Sequence, residues 1–236
     1  METPTLIYCA GKNPKFDAIA QKTGFKLGIQ LPYSTVTHPP YFVDQNWKDP
    51  DRVGYMQALE RYRPMMATVL DFEEYSQLSE VLSCAEEAAQ YVKIVIIIPK
   101  VFGGISQLPK RIGDTQVVLG YSVPTRFGGT SVPLWEFTGW PVHLLGGSPT
   151  KQYRLSKYLH VVSVDGNYAN LCATKFCKWF DGRGWHQLTK DGDLWGQDAP
   201  YECFRRSCQG IQRMWQQDNN AFAADAIPRP LVSASQ

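Results

Sequence analysis

The sequence predicts a parallel α/β barrel of the (β/α)8, TIM type, followed by a C-terminal helical extension that carries tryptophan and cysteine. Eight short apolar runs recur along the chain, most of them separated by stretches with helical periodicity. One of them, Lys93 to Ile98, is too continuously β-branched to be half exposed, which fits a parallel strand covered on both faces. Three runs stop on an aspartate, and in a parallel barrel the strand ends are where chemistry is placed. A doubly wound open sheet is the alternative. It ordinarily carries a glycine-rich first turn, and Cys9-Ala10-Gly11-Lys12-Asn13 is not GxGxxG. Gly103-Gly104 likewise lacks the Lys-Ser/Thr of a phosphate-binding loop.

The elements follow in order. Leu6 to Gly11 is a strand ended by glycine, and Lys12 to Thr23 is a helix stopped by Gly24. Phe25 to Leu31 is a second strand, closed by Pro32; after a Ser/Thr/Pro-rich loop, Tyr41 to Trp47 is a third, with Asp44 inside it. Asp49-Pro50 reads as an N-cap and first-turn proline for a helix through Tyr55, Leu59 and Tyr62. Met65 to Leu70 runs into Asp71. Ser76 to Val92 is the clearest helix, with Leu78, Val81, Leu82, Ala85, Ala88, Ala89 and Val92 on one face. Beyond Lys93 to Ile98, a short helix is expected over Ile105 to Ile112 and a strand over Gln116 to Val123. Val142 to Leu145, a helix within Thr150 to Leu159, and Val161 to Val164 complete the barrel.

This divides the chain into a barrel core over residues 1–167, closing helices over 168–223 and a disordered tail over 224–236. Trp179, Trp185, Trp195 and Trp215 mark the extension, and Tyr201 to Trp215 reads as its closing helix. The chain of 236 residues carries a formal charge of only +2, which permits nucleic-acid contact without demanding it. Lys110, Arg111, Arg126, Arg205, Arg206 and Arg213 are the residues from which a basic groove would be built. Met1-Glu2-Thr3-Pro4-Thr5 lacks the basic start of a secretory signal, and no apolar run approaches a membrane span. A cytoplasmic protein with reduced cysteines is expected.

Asp44, Asp71 and Asp165 are the chemical candidates. Any one of them alone fits a helix cap, but on a barrel all three converge at the mouth, where close carboxylates shift one another's pKa. Such a set suits substitution at an anomeric carbon: one carboxylate attacks or stabilises an oxocarbenium-like centre, and another manages the leaving group's proton.

Leu144-Leu145-Gly146-Gly147-Ser148-Pro149, then a helix, then Val162-Ser163-Val164-Asp165, resembles the late barrel segment of the tRNA-guanine transglycosylase superfamily. There a Leu-Met-Gly-Val-Gly-Thr-Pro-like turn precedes the strand bearing the nucleophilic aspartate. The resemblance implies that Asp165 is that nucleophile. Tyr41-Phe42-Val43-Asp44-Gln45-Asn46-Trp47 is similar to the segment carrying the proton-transfer aspartate, which implies that role for Asp44. Met66 to Glu73 is similar to the strand whose Asp-Glu pair holds the edge of a guanine-like base, implying base recognition by Asp71. Leu119-Gly120-Tyr121-Ser122 stands where a glycine-rich strand passes over the base, so Gly120 and Tyr121, with Gly146, Gly147 and Asn167, are implied substrate contacts. In length the chain is most similar to the short phage- and bacterium-borne branch that exchanges guanine in DNA for a 7-deazaguanine such as preQ0. The implied partners are therefore DNA, in preference to tRNA, and the free base.

The departures are specific. Gln45-Asn46-Trp47 replaces Ser-Gly-Gly, which makes Trp47 a base-stacking candidate, and Gly166-Asn167-Tyr168 stands in place of Cys-Val-x-Pro-Thr-Arg. The family's Cys-x-Cys-x-x-Cys zinc motif is replaced by Cys172, Cys177, Cys203 and Cys208 with His186 between them. Their spacing is wider than zinc knuckles use, so buried thiols are expected rather than a structural zinc, and the chemistry requires no cofactor. Trp135 and Trp140 either wall a base pocket or fill their own loop, while His143 and His160 read as packed or capping residues. Two other functions fit the same acids: hydrolysis of a nucleoside or sugar, with water as acceptor, and a non-catalytic nucleic-acid-binding module.

Overall fold

The computed structural model describes residues 3–9, 13–46, 48–125, 128–188 and 196–221, with side chains to 216. Eight strands close into a parallel barrel: β1 (Thr5–Cys9), β2 (Lys26–Leu31), β3 (Phe42–Gln45), β4 (Met66–Phe72), β5 (Ile94–Pro99), β7 (Thr115–Ser122), β8 (Pro141–Leu145) and β9 (His160–Gly166). The β5–β7 and β1–β9 pairings complete the ring. A two-residue strand, β6 (Arg111–Ile112), lies antiparallel on β7. Among the described residues no helix is long and apolar enough to cross a membrane.

The crossovers are uneven. α1 (Pro14–Lys22) starts at Asn13, whose side chain accepts the Lys15 N–H, and α2 (Arg52–Tyr62) starts at Asp51, whose carboxylate accepts the Gly54 N–H at 2.9 Å. The cap of α2 is therefore Asp51 rather than Asp49. α3 (Leu78–Ala88), α4 (Pro149–Leu155) and α5 (Tyr168–Phe176) follow β4, β8 and β9. The helix expected over Ile105 to Ile112 does not form. Its residues divide between a 3-10 turn, Gly104–Gln107, and strand β6, because Pro109 lacks an amide donor and Gly113 (φ 55°) sets a hairpin into β7.

The extension is more than closing helices. A hairpin of β10 (Lys178–Phe180) and β11 (Trp185–Gln187) precedes α6 (Ala199–Ala221). α6 seals the barrel on the β1 side: Phe204 lies 4.7 Å from Tyr8 and 5.3 Å from Phe16, ring centre to ring centre. Residues 224–236 lie outside the described residues.

Strand alternation separates two cores. Ile7, Phe42, Met66, Ile96, Ile98 and Val118 fill the barrel interior, while a larger cluster joins the outer strand faces to the helices. Burying each such side chain stabilises the fold by roughly 1.5–3 kcal/mol. The interior has no room at Gly28 or Gly120. A Cβ on Gly28 would meet Cys9 Sγ at 2.7 Å, and one on Gly120 would meet Ile98 Cγ1 at 2.6 Å.

Two strands break the alternation, each by one extra residue. In β4 the register passes from Thr68↔Ile96 to Asp71↔Ile98, and in β9 from Val142↔Val161 to His143↔Ser163. Regular alternation from Thr68 would turn Asp71 outward, and from Val161 it would turn Asp165 outward. The bulges aim both aspartates into the barrel, a use of bulges common at barrel rims.

Candidate active site

Above the apolar plug, the inward positions of the strand ends change from aliphatic to polar. Asp165 projects from β9, opposite Ile7. Its Oδ2 accepts the Cys9 thiol of β1 at 3.0 Å, and its Oδ1 accepts the Gly146 N–H at 3.1 Å. His143 Nε2, from β8, lies 3.3 Å from Oδ1. Gly146 and Gly147 both hold positive φ, 65° and 80°, so the β8–α4 turn bends tightly enough to aim an amide at the carboxylate. Buried Gln152 fixes that turn, its amide donating to Gly146 O at 2.8 Å and to Asp165 O at 2.7 Å.

Asp44 projects from β3 into the same space. Thr68 accepts the Gln45 N–H at 2.8 Å and donates its hydroxyl proton to Asp44 Oδ1 at 2.9 Å; Gln30 Nε2 lies 3.3 Å from Oδ2. Burial and then the neighbouring Asp165 charge push the Asp44 carboxyl up to about 7, against the smaller effect of those two donors. Burial and then Asp165 also push the Cys9 thiol well above its ordinary range, which keeps it protonated as a donor. The two acids thus have unlike surroundings. One is held by the Cys9 thiol and a backbone amide, and the other is poised to keep a proton near neutrality.

Asp71 faces the mouth but is engaged. It forms an ion pair with Lys100, which also reaches Glu73 at 3.1 Å. Burial raises its carboxyl above the usual range while Lys100 opposes the rise, and Asp71 adds only the smallest of the effects on Asp44. The structure therefore unites Asp44 and Asp165 and leaves Asp71 paired at the rim.

Gly120 and Tyr121 are placed away from the mouth. Gly120 is part of the wall, against Ile96, Ile98 and Leu145, because the interior is already full there. Tyr121 turns away from the mouth into the outer core, its ring 5.2 Å from Phe137, as the residue next to an inward glycine must in a regular strand. Asn167 is exposed at the start of α5, and its side chain makes no capping bond. Gly147 packs under Val123. Trp47 and Arg126 lie outside the described residues.

The zinc candidates do not assemble. Among the described residues no group of three or more His, Cys, Asp or Glu is arranged to hold a metal. His186 pairs with Asp181 at 2.7 Å and stacks on Trp179, whereas Cys208 is a residue of α6 itself, buried in the outer core. The proposed basic groove is dispersed as well: Arg205 and Arg206 both bind Glu202, Arg213 reaches Asp181 O, and Lys110 reaches Gly139 O.

Sequence reasoning missed Cys9, Gln30, Thr68 and Gln152, and it read His143 only as a packed residue. Cys9, Gln30 and Thr68 are inward strand positions by period-two counting, which is the signal that finds them. Trp135 and Trp140 take different paths: Trp140 is buried, whereas Trp135 is 65% exposed beside exposed Phe102, their ring centres 5.8 Å apart. Tyr75 donates its hydroxyl to Phe102 O at 2.7 Å, and Glu136 accepts the Gly103 N–H with both oxygens, at 2.9 and 3.1 Å. An aromatic rim therefore stands over β4, β5 and β7.

A family model described as "Family of unknown function (DUF6610)" matches residues 20–216. No curated protein matches the chain. Among solved structures, N-(5'-phosphoribosyl)anthranilate isomerase from Pyrococcus furiosus is similar with a TM-score of 0.38 and 12% identity, over 89% of this chain and 99% of that one.

Proposed function

The chain belongs to this family of unknown function, and from its site we propose that it is a base-exchange transglycosylase, replacing guanine in DNA with a 7-deazaguanine through an aspartyl-glycosyl intermediate. The observation that carries this reading is the Asp44–Asp165 pair at the barrel mouth, two carboxyls with unlike environments. Such a split assigns acid and nucleophile in glycosidic-bond chemistry. An Asp165 oxygen attacks C1′ as the bond to guanine breaks, and protonated Asp44 supplies the proton the leaving base takes up. The incoming base returns a proton from N9 to Asp44 and attacks C1′, which releases Asp165 as the free carboxylate. Each cycle thus ends with both acids in their starting states.

Asp71 reads the guanine edge by accepting its two parallel donors once the ammonium of Lys100 is retained by Glu73. A base reaches the mouth only when flipped out of the duplex, and the exposed rings of Phe102 and Trp135 supply a stacking surface for it or its neighbour.

Incubation with labelled guanine and, separately, duplex DNA or tRNA tests the reading. Label entering DNA, and absent with Asp165→Asn, supports it. Label entering only tRNA corrects the substrate. Free base released without replacement establishes a hydrolase instead, and no reaction on either polymer contradicts the assignment.

A further inference from the structure

His143 is the one imidazole inside the barrel wall, and its surroundings constrain its protons. It is fully buried. Its ring lies 5.0 Å from that of Phe42, and its Nδ1 is 2.7 Å from Ser163 Oγ. Nε2 makes no aligned hydrogen bond among the described residues, and Asp165 Oδ1 stands 3.3 Å from it. A bare Nε2 lone pair facing a carboxylate oxygen, buried and unpartnered, would be doubly unfavourable. A protonated Nε2 turns the same distance into an attraction. Ser163 completes the arrangement, since its hydroxyl can donate to a bare Nδ1 or accept from a protonated one. In both cases the ring can carry a proton on Nε2.

Ser163 is brought opposite His143 by the same extra residue in β9 that turns Asp165 inward. Orienting group, imidazole and carboxylate thus share one structural cause.

We propose that His143 is a positioning residue for Asp165, with Ser163 fixing the ring and Nε2–H holding Oδ1 so that Oδ2, released by the Cys9 thiol, is the oxygen that attacks. The attack rests on the transglycosylase reading; the His143–Asp165 bond does not. The loose alignment fits a site without substrate, where catalytic hydrogen bonds are commonly long and tighten on binding.

The first test reads the imidazole directly. In uniformly 15N-labelled full-length protein, a long-range 1H–15N correlation spectrum reports the proton positions on each of the four histidines. The expected result is a His143 signal, assigned by its disappearance in His143→Gln, with a proton on Nε2 and a shift that moves in Asp165→Asn. A proton on Nδ1 alone, or a signal indifferent to Asp165→Asn, overturns the proposal.

The second test separates positioning from packing. His143→Phe keeps an aromatic ring beside Phe42 but removes the donor, and is expected to lower kcat about 10- to 100-fold with KM little changed. His143→Gln keeps an N–H donor and is expected to recover most of that loss. Equal losses in the two variants that track equal losses of thermal stability would show a merely structural role and overturn the proposal. If the wild-type protein exchanges no base, the transglycosylase reading fails and the spectrum alone decides the His143–Asp165 bond. If it exchanges base and His143→Phe is fully active, only the positioning role falls.

Discussion

Ile7 and Asp165 stand opposite each other in the β1–β9 ladder, one closing the apolar plug of the barrel and the other opening its polar mouth. The pairing exists because β9 carries an extra residue between Val161 and Ser163. The catalytic reading depends on this single step of register, since a regular β9 would point Asp165 at the helices.

Asp44 should give the activity its pH limit. The acid form is required for departure of the base, and its carboxyl is pushed up to about 7, so turnover is expected to fall as pH rises through about 7. In stability the sign follows from proton binding. The folded-state value lies above the ordinary 3.8, so the native state holds an extra proton between about pH 4 and 7 and loses stability as pH rises through that window. Asp44→Asn keeps the shape and removes the charge. Urea melts of both proteins should show its advantage over the wild type growing by about 2–3 kcal/mol between pH 5 and 8. An advantage that does not change with pH would place Asp44 in an ordinary, solvated environment.

Gly120→Ala tests whether that glycine serves the core or a ligand. The new Cβ would lie 2.6 Å from Ile98 Cγ1 and 2.8 Å from Leu145 Cδ1, so a loss of roughly 1–3 kcal/mol in thermal or urea unfolding is expected. Unchanged stability with weakened substrate binding would return Gly120 to the base-binding role its sequence position implies.

Cys9 is expected to resist alkylation in the folded protein. Its thiol is pushed well above the ordinary range and is bonded to Asp165. Cys9 and Cys177 are alike in being partly exposed, so mass spectrometry after a brief exposure to iodoacetamide at pH 8 should find Cys177 modified and Cys9 spared by its bond to Asp165, with both modified in urea. Rapid native labelling of Cys9 would mean that the Asp165 contact is not maintained in solution.

Gly210 is the close approach between α6 and the β10–β11 hairpin. A Cβ there would lie 2.0 Å from Phe180 O, a backbone atom that cannot step aside. Gly210→Ala is expected to unseat α6 and cost about 2 kcal/mol or more in thermal unfolding. A stable Gly210→Ala protein with an intact barrel would show that the extension is not clamped at this point.

Much of the fold was legible because parallel strands buried on both faces leave continuous apolar runs, as in Ile94 to Ile98. The positions of Asp44 and Asp165 at strand ends were legible for the same reason. The facing of Asp165 was not, since the bulge in β9 leaves no mark on composition and a single extra residue reverses the alternation on which such counting depends. Asp71 shows another limit: its partner Lys100 lies on the neighbouring strand's exit, and nothing local announces that the carboxylate is occupied. Tyr121 could have been placed correctly, because its neighbour Gly120 faces inward and successive residues of a strand face opposite ways. The helix expected over Ile105 to Ile112 failed at Pro109, whose missing amide and fixed φ favour an extended exit.

The central claim is that Asp165 becomes covalently bonded to the sugar. The most direct measurement is peptide mass spectrometry of the full-length protein, quenched in acid during turnover on guanine-containing duplex DNA. A nucleotide-derived adduct is expected on the peptide spanning Asp165, lost in Asp165→Asn and depleted when excess 7-deazaguanine is added. Base exchange that proceeds with no adduct, or with the adduct on another residue, would contradict it.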